Sequence, residues 1–123
     1  MTGFVRWEWV QIDCRDPLAQ CRFWSELLGY PVDEEVLGDP PHYAGLVGPA
    51  GHPNISFQRV PEGKTVKNRI HLDVRTDDLD VAMAKIVELG GRPIEAEHRN
   101  EYGARYHFMA DPEDNEFCLV LED

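Results

Sequence analysis

His71, Asp73 and Arg75 stand at alternate positions in Ile70–Arg75, so in a strand all three side chains leave from one face. A histidine flanked by a carboxylate can move a proton near neutral pH, because imidazole titrates there and the acid steadies its cation. Asp73 lies within side-chain reach of His71, although two residues along a strand is too far for the usual orienting contact without help. Glu116 and Cys118 alternate in the same way near the C-terminal end. The Cys118 thiol becomes a nucleophile only where something lowers its pKa, and acidic surroundings favour a small buried filler instead. Two further stretches present faces of this kind, Trp9, Gln11, Asp13 and Asn54, Ser56, Gln58. A face turned simply to solvent would carry Lys, Glu and Thr. Trp, His, Cys and amides read as the lining of a cleft.

The elements that must hold these residues form a repeat. Shifted back by 62 positions, IHLDVRTDDLDVAMAKIVELGG overlies VQIDCRDPLAQCRFWSELLG, with His71 on Trp9, Asp78 on Asp16, Leu89 on Leu27 and Gly91 on Gly29. The same offset lays Asn54–Phe57 on Glu116–Leu119. Each copy reads β-α-β-β-β, with module 1 over residues 4–60, module 2 over 68–121 and a linker over 61–67. At 123 residues the chain is one domain's worth, 1–123. Each half alone would be marginal, so the two share one core or complete one with a second chain.

In module 1, alternation predicts a strand over Phe4–Cys14, and Asp16-Pro17 supplies a cap and a first-turn proline. The helix that follows places Cys21, Trp24, Leu27 and Leu28 on one stripe and ends at Gly29. Further strands are predicted over Tyr30–Val36, Tyr43–Val47 and Asn54–Val60, with Asp33–Pro41 as an acidic, proline-rich turn. Module 2 restarts with a strand over Arg69–Arg75. Asp77 or Asp78 caps a helix whose Leu79, Ala82, Met83, Ile86 and Leu89 make one stripe, closed by Gly90-Gly91. Strands over Arg92–Ala96, Ala104–Ala110 and Glu116–Leu121 follow, with Asp111–Asp114 as the last hairpin turn. In the first and fourth strand of each module the apolar face matches the helix stripe.

A formal charge of −11 argues against nucleic acid, whose phosphates need a basic face, and against an anionic membrane. It suits a soluble cytoplasmic protein and permits a cationic partner. No signal peptide or membrane span is read in the sequence. Three cysteines, Cys14, Cys21 and Cys118, without C-x-x-C spacing fit a reducing compartment.

Asp16-Pro17 followed by Phe23-Trp24-x-x-Leu27-Leu28-Gly29, the strand His71-Leu72-Asp73-Val74, and Asp111-Pro112-Glu113-Asp114-Asn115-Glu116-Phe117 together resemble the vicinal oxygen chelate superfamily of glyoxalases, bleomycin-resistance proteins and extradiol dioxygenases. The last string carries Asp114 where the family's hairpin has glycine. The resemblance spans nearly the whole chain. It implies an α+β fold of tandem βαβββ modules that form a curved mixed sheet around a cleft.

Metal-using members draw one ligand from the first and one from the fourth strand of each module, and those slots here are Trp9, Ser56, His71 and Cys118. Only His71 is an ordinary ligand. Zn, Ni or Fe needs about three donors from His, carboxylate or thiolate, and His71 with Cys118 provides two. The expectation is therefore a homodimer that binds a small organic molecule, cationic or aromatic, without a catalytic metal or other cofactor, as a resistance-type sequestering protein. Its binding residues would be Trp9, Gln11, Asp13, Ser56, Gln58, Asp73, Arg75, Glu116 and Cys118. The alternative is a lyase or isomerase using His71, with or without a divalent metal, for which the metal residues would be His71 and Cys118.

Other signals are weaker. His42, His52, His98 and His107 lie outside metal spacing, and His107 is expected in the cleft with Arg105 and Met109, or at a surface edge. Trp7, Trp9, Trp24, Tyr43, Tyr102, Tyr106 and Phe108 are numerous for so short a chain. Glu62–Thr65 lacks the glycine of a phosphate loop, and Asp111–Asn115 lacks the glycine and glutamate of a calcium loop.

Overall fold

The computed structural model describes residues 3–37 and 41–122. They form two compact units, the first ending at Gly63 and the second beginning at Lys64. The boundary lies in the expected linker.

The first unit contains β1 (Val10–Cys14), α1 (Pro17–Leu28), β2 (Val32–Leu37), β3 (Tyr43–Leu46) and β4 (Ile55–Arg59). Its sheet runs β1-β4-β3-β2, with β1 parallel to β4 and the other pairs antiparallel. Asp16 caps α1 by accepting the Ala19 N–H at 3.1 Å, with Pro17 in the first turn. Gly29 ends the helix at φ 73°, a left-handed position that glycine enters at little cost. Cys21, Phe23 and Trp24 are buried with Ala44, Leu46, Ile55 and Phe57. The buried stripe differs from the expected one, since Gln20 and Phe23 are buried while Leu27 and Leu28 are only half-buried.

The second unit contains β5 (Leu72–Thr76), α2 (Leu79–Glu88), β6 (Arg92–Pro93), β7 (Arg99–Glu101), β8 (Ala104–Ala110) and β9 (Glu116–Leu121). Its sheet runs β5-β9-β8-β6, with β7 also paired to β8 and β5 parallel to β9. Asp78 caps α2 through the Val81 N–H at 3.1 Å. Leu79, Ile86, Met109, Phe117 and Leu119 are buried. The fold is thus α+β with two mixed sheets, each accompanied by one helix.

Four boundaries differ from the sequence reading. The strand expected from Phe4 begins at Val10, where parallel pairing with Ile55 begins, and Phe4, Val5 and Trp7 are exposed. The one expected over Arg69–Arg75 is β5, Leu72–Thr76, paired in parallel from Leu72 on Phe117. Asp33, placed by sequence in both the strand Tyr30–Val36 and the turn Asp33–Pro41, belongs to β2 and pairs with Gly45, and a register shift lets the strand continue to Leu37. Of the rest of that expected turn, Pro41 is in a turn and 38–40 lie outside the described residues. The strand expected over Arg92–Ala96 stops at Pro93, and β7 takes a place on β8 that alternation did not reveal. A two-residue turn makes this possible. Tyr102 at φ 55° and Gly103 at φ 73° both take the left-handed conformation that a tight hairpin needs.

The D-P hairpin is built as a turn. Asp111, 2% exposed, accepts the Glu113 N–H at 2.9 Å and the Asn115 N–H at 3.0 Å. Asp114 sits at φ 67° in the place of glycine, a conformation Asp tolerates better than most residues.

Gly91 packs against the end of α2, where an added Cβ would stand 2.6 Å from Ile86 Cγ2 and 2.7 Å from the Ala110 carbonyl oxygen. Backbone cannot retreat as a side-chain tip can. Gly91→Ala is therefore expected to destabilise the protein by about 2–3 kcal/mol, read as a lowered urea midpoint with an unchanged m-value.

Candidate functional site

The open face of the first sheet, opposite α1, is assembled by register. Gln11 pairs with Ser56, Ser56 with Gly45 and Gly45 with Asp33, so one row crosses all four strands. The next row on the same face is Asp13, Gln58 and Tyr43. Trp9 lies down over this surface. A Cβ on Gly45 would stand 3.3 Å from Trp9 Cζ3 and 3.8 Å from the Asp33 Cβ, so the glycine gives the indole its bed.

Trp9, Gln11, Asp33, Tyr43, Gly45 and Ser56 line a recess of about 220 Å³. A second recess of about 500 Å³ shares Trp9 and is walled by Trp7, Glu8 and the loop Gly51–Asn54. In that loop Asn54 Oδ1 accepts the Gly48 N–H at 2.8 Å. Sequence reasoning missed Asp33, Tyr43 and Gly45 as site residues. Tyr43 was legible only as an aromatic on a strand, and Asp33 fell where the expected strand Tyr30–Val36 and the expected turn Asp33–Pro41 overlap, so its place on a sheet face was not fixed.

The open face of the second sheet follows the same logic. Asp73, Cys118 and Phe108 form one row, and Arg75, Val120, Tyr106 and Arg99 the next. His71 Nε2 stands 3.5 Å from Asp73 Oδ1, with side chains 40% and 66% exposed. The two groups come within ion-pair distance, longer than an ordinary hydrogen bond. The His71 ring meets the edge of Phe108 at 6.0 Å between centroids. The Arg99 guanidinium lies over Phe108 at 5.2 Å, and Tyr106 packs on it edge-on at 5.6 Å. Arg99 is held there by both Glu95 carboxylate oxygens, at 2.6 and 3.1 Å, a bidentate pair that fixes orientation as well as charge. The Arg99 bond also keeps the Glu95 carboxyl below its usual range.

Arg99 was not legible as a site residue because β7 was missed, and Tyr106 and Phe108 because the opposite parity of β8, Arg105, His107 and Met109, was expected in the cleft. His107, placed by sequence in the cleft or at an edge, is instead fully buried on the α2 side of the sheet in register with Leu119. Its parity along β8 is opposite to that of Phe108.

Two expected ligand-face residues have partners of their own. The Glu116 carboxylate takes Lys64 Nζ at 2.9 Å and the Asn68 N–H at 3.0 Å. Burial opposes ionisation there, and these two donors overcome it, so the carboxyl lies below its usual range. Cys118 is 5% exposed. Burial, seconded by the Asp73 charge, pushes its thiol up to about 11. Burial also raises the Cys21 thiol, and all three cysteines are buried and unbridged.

These residues do not fit a divalent ion held in the superfamily's manner. Trp9 has no lone pair to give and Ser56 has only a hydroxyl, which leaves His71 and the buried Cys118 thiol as two donors where about three are needed. Among the described residues no group of three or more His, Cys, Asp or Glu is arranged to hold a metal ion. None of the described helices is long and apolar enough to cross a membrane.

Residues 9–120 match the family described as glyoxalase-like domain. A glyoxalase/bleomycin resistance protein/dioxygenase family enzyme from Burkholderia phytofirmans shares 22% identity and superposes with a TM-score of 0.74, over 92% of this chain and 95% of that one. A member of the same superfamily from Sphaerobacter thermophilus gives 20% identity and 0.69, over 98% and 100%. A fosfomycin resistance protein from Mesorhizobium loti gives 14% and 0.70, over 98% and 96%. Likeness at these identities is likeness of fold. No curated protein matches by sequence.

A thiol whose pKa is raised stays protonated below that value, so at about pH 8 Cys118 has almost no thiolate to offer. A disulfide reagent added to native protein at that pH is expected to find no fast thiol, whereas urea-unfolded protein titrates all three. One thiol reacting at once in the native protein, and lost in Cys118→Ala, would contradict this account of Cys118.

Proposed function

The chain belongs to the glyoxalase-like domain family of the vicinal oxygen chelate superfamily, and from that premise we propose that it binds a small aromatic or cationic organic molecule without a catalytic metal. Sequestration of such a compound, the resistance-type role, is the form of this reading in which nothing is turned over. The observation that carries it is the Trp9 indole lying across Gly45 beside Asp33 and Tyr43. An aromatic floor next to a carboxylate suits a flat or cationic group, a contact worth about 0.5–2 kcal/mol as desolvation increases. The recess of about 220 Å³ is small against the roughly 300–1,000 Å³ of drug-sized sites. It takes one ring, and the neighbouring space of about 500 Å³ that shares Trp9 accommodates the rest. Gln11 and Ser56 supply hydrogen bonds that orient the ligand. The same proposal makes the protein a cytoplasmic homodimer, and exposed Phe4 and Val5 are the kind of surface a second copy covers.

A second reading is favoured by the His71–Asp73 contact at 3.5 Å. A lyase or isomerase would use His71 to take a proton from substrate and return it, with Asp73 steadying the imidazolium. This reading needs no metal.

Titration with cationic aromatic compounds is expected to quench tryptophan fluorescence. Trp9→Ala should weaken that binding by about tenfold or more, while His71→Ala changes it by less than about threefold. Turnover of a bound compound that His71→Ala abolishes would favour the second reading. Stoichiometric Zn, Ni or Fe in protein purified without chelators, lost in His71→Ala, would overturn the metal-free proposal.

A further inference from the structure

On the α2 side of the second sheet, three side chains outside the ligand face form a chain of hydrogen bonds. His107 Nε2 lies 2.7 Å from the Glu95 carbonyl oxygen, the two Nδ1 atoms of His107 and His98 face each other at 2.9 Å, and His98 Nε2 lies 3.1 Å from Asp80 Oδ1. The rings stand edge to face at 87°. His107 is fully buried, and the His98 side chain is 19% exposed.

The protons of this chain can be counted. A carbonyl oxygen only accepts, so His107 Nε2 must carry hydrogen. A carboxylate only accepts, and Asp80, 88% exposed in the first turn of α2, is hydrated and anionic, so His98 Nε2 must carry hydrogen as well. Between the two Nδ1 atoms one hydrogen is required, because two would collide and none would set lone pair against lone pair. That makes three N–H groups on two rings. Two neutral imidazoles supply only two.

We propose that His98 and His107 hold one extra proton at neutral pH and act as a proton-dependent latch, tying the segment between β6 and β7 to α2 and β8. The charge resides on His98, beside Asp80 and nearer to water, while His107 stays neutral in the core. The charged groups near the pair are Asp80 from α2 and Glu95 from the segment itself, whose partner Arg99 lies on the other face of the sheet. β9 offers only Leu119 in register with His107.

Removing the proton leaves two N–H groups for three contacts, so one contact must break. The latch is closed on the acid side and opens as pH rises. The contact that breaks is one made by His98, and because His98 and Glu95 share the freed segment while the Glu95 side chain holds Arg99 over Phe108, opening loosens the mount of a guanidinium on the ligand face. Only that last consequence for binding rests on the function proposed above.

Nitrogen-detected imidazole NMR on the whole protein tests the count without any ligand. At about pH 7.5, where a free histidine is mostly neutral, one ring should show both nitrogens protonated and the other a single N–H at Nε2. Raising the pH to about 9 should remove the extra proton. It should also lower hydrogen-exchange protection of residues 94–101 by about tenfold beyond the intrinsic rate change, the loss of roughly one hydrogen bond. Asp80→Asn, a surface change that keeps an acceptor and removes the charge, should move both effects to lower pH. Two neutral rings at about pH 7.5, protection that does not change with pH, or an Asp80→Asn profile that coincides with the wild type would each overturn the latch.

Discussion

Each unit depends on the parallel pairing of its outermost partners in sequence, β1 with β4 and β5 with β9. Parallel neighbours cannot be joined by a hairpin, so the chain between them must travel far enough to cross back. The helix and the intervening strands make that journey. The helix settles on one face, where Phe57 and Leu46 or Phe117 and Leu119 are buried beneath it, and the opposite face is left for other uses. Had the first and last strands been antiparallel, Trp9 would not lie beside the row that begins at Ser56, and Asp73 would not stand level with Cys118.

Polar side chains have different fates on the two faces. On the open face, groups that could meet a ligand are held in place by neighbours: Arg99 by Glu95, Tyr106 by Glu101 at 3.0 Å, Glu116 by Lys64 and Asn68. Desolvation is what most raises Tyr106 above the usual phenol range, and its bond to Glu101 adds to this. On the helix side any buried polar group must be fully satisfied, since an unmet donor or acceptor there costs about 1–3 kcal/mol. His107 meets that demand at both ring nitrogens, and only the continuation from His98 to Asp80 calls for a third hydrogen.

The caps Asp16 and Asp78, the helix-ending glycines and the D-P hairpin serve folding, and their geometry is intact down to Asp114 in a left-handed position. At the four positions where the resemblance to the superfamily would place metal ligands stand an indole, a hydroxyl, an imidazole and a buried thiol. An indole excludes an ion by volume and by lacking a donor, yet it is well suited to an aromatic or cationic guest.

The sequence by itself determined the order of the elements other than β7, the Asp16 cap, the α2 cap to within Asp77 or Asp78, and the repeat. These are local: they follow from side-chain periods of two and 3.6 and from the few residues able to cap a helix or turn a hairpin. It also determined the polar face on which Trp9, Gln11, Ser56, His71 and Asp73 lie. What alternation does not contain is the neighbour across the sheet, because register depends on pairing between segments distant in sequence. Only the tertiary structure therefore set Asp33 and Gly45 beneath Trp9, brought Arg99 over Phe108 through a strand whose turn uses an unexpected Tyr102, and turned His107 toward His98 and Asp80.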